Sequence, residues 1–293
     1  MTVIYREFGP SPRLRGLVDR LWWLEGPAER IGPEPIPPDG RTEIIVHAAD
    51  TFEEADAADC WRPQERVLFA GQATRAVRVR PRGFARMAGA RLHPTGAHAL
   101  FACPQVELVN RIPELHLLDR HLARRLRDDV ATREDGPAMV TALDRALVRA
   151  LPDGSRESAA TDAVSIALAR RGLVRVAALA SQLDLSARQI ERLFRERVGL
   201  SPKLFLRIVR FQEVLGSLRG GAPPGGLPWA EIAARHGFYD QPHFIRDFKA
   251  FVGESPGAWS LSPESLAAVF SAVGREGVVP SASADVVFFQ DPR

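Results

Sequence analysis

The chain has 293 residues, 45% hydrophobic and 26% charged, the balance of a soluble globular protein with room for two domains. No apolar run reaches the ~20 residues of a membrane span, and the opening MTVIYREFGP lacks the basic stretch and apolar core of a secretory leader. The two cysteines, Cys60 and Cys103, lie far apart and exclude a four-cysteine zinc site. A cytoplasmic protein with no membrane partner is expected. The formal net charge is +3, yet residues 155–260 carry fifteen Lys/Arg against ten Asp/Glu, which leaves the rest net negative. A basic segment in an otherwise near-neutral protein points to an anionic partner for that segment.

The first 110 residues predict short strands punctuated by Pro and Gly, as in a barrel or sandwich. Leu21-Trp22-Trp23-Leu24 reads as one strand. The turn Pro38-Asp39-Gly40 leads into another at 42–46, and two more flank Gly71 at 66–70 and 76–80. One of Trp22 and Trp23 should point inward, with core packing favoured over a ligand contact. Arg41, Glu43 and Arg91 are expected at the surface. From Ile112 the pattern turns helical. Leu115, Leu118, Leu122 and Leu126 recur at helical spacing, and Val140, Leu143 and Leu147 share one face of a helix over 138–151. A linker at 151–155 precedes a helix near 160–170. Late in the chain, Ser262-Pro263 predicts a helix start, and DVVFFQ at 285–290 predicts a strand that packs against the β-rich region.

Between these lies an internal repeat. The copies are AALASQLDLSARQIERLFRERVGLSP, from Ala177, and AEIAARHGFYDQPHFIRDFKAFVGESP, from Ala230. Leu179-Ala180 matches Ile232-Ala233, and Leu185 matches Phe238. After one extra residue, Ile190, Arg192 and Phe194 match Phe244, Arg246 and Phe248, and Gly199, Ser201 and Pro202 match Gly253, Ser255 and Pro256. A repeat of this length means a duplicated supersecondary unit. Each copy predicts helix, tight turn, helix. Asp184 and Gly237 suit a left-handed turn residue. Ser186 with Gln189 forms a capping box, Asp240 caps the second copy, and Pro242 falls in the first turn of its helix, where a missing N–H costs little.

In the first copy Ile190, Leu193, Phe194 and Val198 face inward. Arg188, Glu191, Arg192 and Arg195 fall together on the other side. Arg can donate two bonds to guanine, and a carboxylate can accept from cytosine, so this face suits a DNA major groove. On an isolated helix the same pattern would be a solvated charged face; the duplication, short turns and caps favour groove recognition.

These residues resemble the AraC/XylS transcription regulators, over roughly a third of the chain. The resemblance rests on Ala180, Leu185-Ser186, Arg192-Leu193-Phe194, Gly199-Leu200-Ser201-Pro202, Ile232-Ala233, Gly237-Phe238, Phe244, Arg246, Phe248-Lys249 and Gly253-Glu254-Ser255-Pro256. It implies an all-α domain of seven helices, with a long helix from Pro202 to Arg219 joining two helix-turn-helix units. It also implies that both recognition helices enter successive major-groove segments of double-stranded DNA. Base contacts would fall on Arg188, Glu191 and Arg192 and on Gln241, His243 and Arg246, with Arg195 and Lys249 beside them. Pro242 stands where a polar residue is expected, and the linker 220–227 is long and Pro/Gly-rich. The N-terminal half is similar to a sensor domain of some AraC-type regulators, on Pro38-Asp39-Gly40, Gly71-Gln72, Gly89-Ala90-Arg91-Leu92-His93-Pro94 and DVVFFQD. That implies a cupin-like β-barrel with a regulatory role.

No catalytic constellation competes. His93, His98, Glu107 and His116 are scattered, with no close histidine pair for a metal. There is no GxSxG elbow and no phosphate-binding glycine loop. The expectation is an α+β multidomain protein without metal or cofactor. It comprises a β-rich sensor at 1–110, a helical linker or dimerisation segment at 111–155, a DNA-binding domain at 156–260 and a tail at 261–293. Its function is effector-responsive transcription control, with activation implied by the resemblance and RNA polymerase and a second copy of the chain as further partners. The alternative from another class is a DNA-repair enzyme carrying this DNA-binding domain, which the two distant cysteines oppose.

Overall fold

The computed structural model describes residues 3–28, 33–56, 58–152, 158–218, 229–259 and, as backbone, 286–290. The linker 220–227 and the helix expected from Ser262 lie outside the described residues. The N-terminal unit is an antiparallel sheet domain with helices. Its strands are β1 (Val3–Phe8), β2 (Val18–Pro27), β3 (Glu34–Ile36), β4 (Thr42–His47), β5 (Glu53–Ala55), β6 (Trp61–Pro63), β7 (Val67–Ala70), β8 (Val77–Arg80) and β9 (Phe84–Leu92). A tenth, β10 (Val286–Gln290), comes from the tail. One sheet has the order β10-β1-β2-β9-β4-β7 and the other β3-β8-β5-β6. All pairings are antiparallel except β10 on β1, in register Val3 with Val286 through Glu7 with Gln290. The tail strand thus pairs with the first strand, as its apolar run predicted.

Side chains alternate across the larger sheet. Trp22 and Leu24 of β2, with Tyr5 and Met87, face the second sheet and pack on Phe52 and Val79. Leu21 and Trp23, with Ile44, Val46, Ala88 and Ala90, face a layer of helices. That layer contains α1 (Gly96–Phe101), α2 (Arg120–Arg125) and α3 (Gly136–Ala150). The leucines expected on one continuous helix are divided among a 3-10 turn at Leu115–Leu117, α2 and a π turn at Leu126–Val130. Leu115, Leu122 and Leu126 still reach one core with Leu143 and Leu147 of α3.

Both tryptophans are therefore core residues, one on each face. A Cβ on Gly89 would lie 2.3 Å from the Trp22 ring, so the absence of a side chain there lets the indole lie on β9. The surface expectation fails for two of three polar residues. Glu43 and Arg91 are register partners on β4 and β9. Arg91 is 3% exposed and donates to Glu43 Oε1 at 2.6 Å, with Asp39 at 3.7 Å. Burial works against its charge, but Glu43 and Asp39 more than offset this and hold Arg91 protonated above its ordinary range. The opposing charges satisfy each other across the ladder, which is what permits their burial. Arg41 stays partly exposed and donates to Asp19 at 2.7 Å.

The C-terminal unit is all-α: α4 (Ala159–Ala169), α5 (Val176–Gln182), α6 (Ala187–Arg197), α7 (Pro202–Leu218), α8 (Trp229–Arg235) and α9 (Gln241–Val252). Where a seventh helix is expected, the described residues end in one helical turn, Trp259 N–H donating to Ser255 at 2.9 Å. The apolar positions shared by the two repeats pack together, and Leu179, Ile190, Phe194, Phe244 and Phe248 all lie in one core. Among the described residues no helix is long and apolar enough to cross a membrane.

Candidate nucleic-acid interface

Each repeat folds as helix, turn, helix, and the two turns are built alike. Asp184 and Gly237 take positive φ, 54° and 70°. In the first unit Leu185 N–H donates to Ala180, and in the second Phe238 N–H donates to Ala233, both at 2.9 Å. Ser186 then starts α6 with a reciprocal capping box: its N–H donates to Gln189 Oε1 at 2.8 Å, and Gln189 N–H donates back to Ser186 Oγ at 3.3 Å. Asp240 starts α9 by accepting from His243 N–H at 2.7 Å, with Pro242 in the first turn. The caps satisfy backbone donors that would otherwise be orphaned, and so fix where each helix begins.

That start sets which residues face outward. Ile190 and Phe194 on α6, and Val198 at its C-terminal cap, are fully buried. Arg188, Arg192 and Arg195 are exposed, and Glu191 is half-buried among them. All four line one groove of about 680 Å³. On α9, Arg246 and Lys249 are exposed, while Gln241 and His243 are half-buried. The His243 ring meets Phe238 edge-on at 5.6 Å, and its Nε2 lies 3.7 Å from Asp247. Asp247 is 3% exposed and accepts from Arg207 Nη2 at 2.6 Å and Nε at 3.1 Å. This bidentate pair ties α9 to α7 and orients the second helix. Sequence reasoning missed it, because Asp247 shares its helix turn with exposed polar residues and its partner is forty positions away.

The N-terminal unit reaches α6. The opposite wall of the α6 groove is Pro104 and Val106, on and beside a 3-10 turn at Gln105–Leu108. Val109 packs against the C-terminal core, and Gly199 lies so close to the Gln105 carbonyl that a Cβ there would approach it to 2.8 Å. His98 Nδ1, on α1, donates to the Cys103 carbonyl at 3.0 Å, and His93 pairs with Thr95 at 2.8 Å. Burial lowers the pKa of both histidines. Among the described residues no group of three His, Cys, Asp or Glu side chains is placed to hold a metal.

Residues 179–271 match a helix-turn-helix domain family, and residues 6–114 match a domain of unknown function, DUF6597. No curated protein matches the chain significantly. Among solved structures it is similar to ToxT from Vibrio cholerae, with 10% identity and a TM-score of 0.43 over 80% of this chain and 96% of that one. It is likewise similar to wild-type ToxT of the same organism bound to an unsaturated fatty acid, with 10% identity and a TM-score of 0.43 over 80% and 93% of the two chains. The AraC-like transcriptional activator CuxR shares 14% identity at a TM-score of 0.23, over 67% of this chain and 73% of that one. With two capped helix-turn-helix units in one core and the family match over them, the chain carries an AraC-type helix-turn-helix domain at its C-terminal end and is a DNA-binding transcription regulator.

Proposed function

We propose that α6 and α9 read two major-groove segments on one face of duplex DNA. In this proposal Arg188, Glu191, Arg192 and Arg195 discriminate bases, and Arg246 and Lys249 anchor phosphates. Gln241 contributes at the start of α9, and His243 contributes less, because its ring is half turned toward Phe238 and Asp247. The observation that carries the proposal is that Arg188, Glu191, Arg192 and Arg195 of α6 all line one groove. The role is regulatory rather than catalytic, the setting cytoplasmic, and the outcome activation, with RNA polymerase and a second copy of the chain as further partners.

The N-terminal unit senses an effector, and the contact between residues 104–109 and α6 is its route to the DNA. A helix with its side chains is ~10–12 Å across and fills a major groove ~12 Å wide. Pro104 and Val106 rise beside the outward face of α6, where a phosphate ridge of the duplex must pass. The arrangement described is therefore a resting one, and DNA binding displaces this wall.

Selection of bound fragments from the host genome by the purified chain tests the proposal. The recovered fragments should share a motif in two halves about one helical turn, roughly 10 base pairs, apart. Recovery without a shared sequence would contradict base reading. On a selected duplex, amide exchange at residues 105–110 should rise as the wall leaves α6; protection there would contradict the resting-state assignment.

A further inference from the structure

We propose that a second groove, between the two helix-turn-helix units, is a notch for the DNA phosphodiester backbone and supplies a third anchoring point midway between the recognition helices. The proposal rests on the DNA-binding function proposed above. The groove holds about 380 Å³ and runs between the segment Gly172 to Val176, the N-terminal half of α7, and Gly237 in the second turn. Three cations line it, Arg175, Lys203 and Arg210, and no carboxylate does. The nearby Arg171 is outside this set and faces Glu213 at 3.6 Å.

The notch is fixed in shape by both units. Arg210 Nη1 donates to the Gly237 carbonyl at 3.2 Å, and its guanidinium lies 5.5 Å from the centre of the Phe238 ring. The Leu173 side chain abuts Gly237, where a Cβ would come within 2.4 Å of it. Arg175 and Lys203 are exposed at the rim and Arg210 is half-buried. A positive charge is thus held in place where the two units meet.

The position is the one a backbone must cross. In a helix-turn-helix unit the first helix crosses the DNA backbone while the second enters the groove. Here the first helix of the first unit, α5, begins inside the notch at Val176. The turn at Gly237, which leads to the Asp240 cap of α9, forms the opposite side. With α6 and α9 in successive major-groove segments, the phosphates between those segments face the middle of the domain. Three cations with an apolar wall at Leu173 match the charge of the phosphates and the apolar edge of the sugars. Such contacts set position and affinity without reading sequence.

The test uses the full chain and a duplex chosen from a randomised pool by the wild-type protein. Each phosphate contact contributes about 0.9 to the slope of log affinity against log salt. Arg175→Gln and Lys203→Gln should therefore each make the slope shallower by about 0.9, and together remove roughly a 12-fold share of the fall between ~50 and ~200 mM salt. Base preference should stay unchanged, as should melting temperature, because both side chains are exposed. Arg145→Gln, on an exposed position of α3, should leave the slope as it is. Ethylation of the phosphates midway between the half-sites should weaken the wild type and cost the double variant nothing further. If wild type and Arg192→Ala differ in binding while the double variant keeps the wild-type slope and ethylation pattern, the notch falls and the DNA-reading function stands; the groove would then face an acidic protein surface. If the wild type retains no duplex, that function falls and takes the notch with it.

Discussion

His47 provides a test of the packing between the two sheets. It is the last residue of β4, 0% exposed, and its ring lies 5.7 Å from that of Phe52. Burial, with Arg66 adding to it, lowers its pKa from 6.5 to about 4. The folded protein thus refuses a proton that the unfolded chain accepts. The sign follows from linkage: the stability due to neutral His47 is fully present above pH 6.5 and is lost as the pH falls toward about 4. At 1.36 kcal/mol per unit, the whole shift corresponds to roughly 3 kcal/mol, and about 2 kcal/mol of it is gone by about pH 5. Because carboxylates also titrate in this range, the quantity to measure is a difference. Urea unfolding of the wild type and of His47→Leu at about pH 7.5 and about pH 5 should show the wild type losing about 2 kcal/mol more than the variant on acidification. Parallel losses in the two proteins would refute the burial of a neutral imidazole between the sheets.

Further perturbations address the remaining parts of the fold. Gly237→Ala should cost about 1–2 kcal/mol for a left-handed residue with a side chain, and more as Leu173 is pushed aside; thermal unfolding checks this, and Asp184→Gly at the matching turn should be nearly neutral because strain relief and added chain entropy oppose each other. Asp247→Ala leaves Arg207 without its bidentate partner and should destabilise by about 2–3 kcal/mol, below the ~3–5 kcal/mol of a fully buried pair because Arg207 is 29% exposed; denaturant melts of this variant and Asp247→Asn measure it. Deleting residues 285–293 should lower the melting temperature and speed amide exchange in β1, since β10 covers that edge; unchanged exchange there would oppose the pairing.

The C-terminal unit was legible in the sequence because its physics is local. Caps act within three residues, a left-handed turn needs Asp or Gly, and an apolar stripe repeats at helical spacing, so Ser186, Asp240, Gly237 and the buried Ile190 and Phe194 could all be placed in advance. The N-terminal unit is held by non-local pairing, and there the sequence was less informative. Strand β9, FARMAGARL, lies at the centre of the larger sheet, yet its Gly, Ala and Arg content gives little strand signal. Its glycine accommodates Trp22, and its Arg91 answers Glu43 on the next strand. Without β9 that pair could not be foreseen, and both residues were expected in solvent. The wall at Pro104 and Val106 was equally hidden, since nothing in a short 3-10 turn announces that another unit's helix will lie against it.

The most direct measurement is a binding selection on randomised duplexes with the wild type, Arg192→Ala and Lys249→Ala, repeated over a salt series. Arg192→Ala should relax preference at one or two base pairs, a loss of about 1–3 kcal/mol of discrimination. Lys249→Ala should weaken all sequences alike and make the salt slope shallower by about one. If Arg192→Ala leaves the preferred sequence intact while Lys249→Ala changes it, the roles assigned to α6 and α9 are wrong.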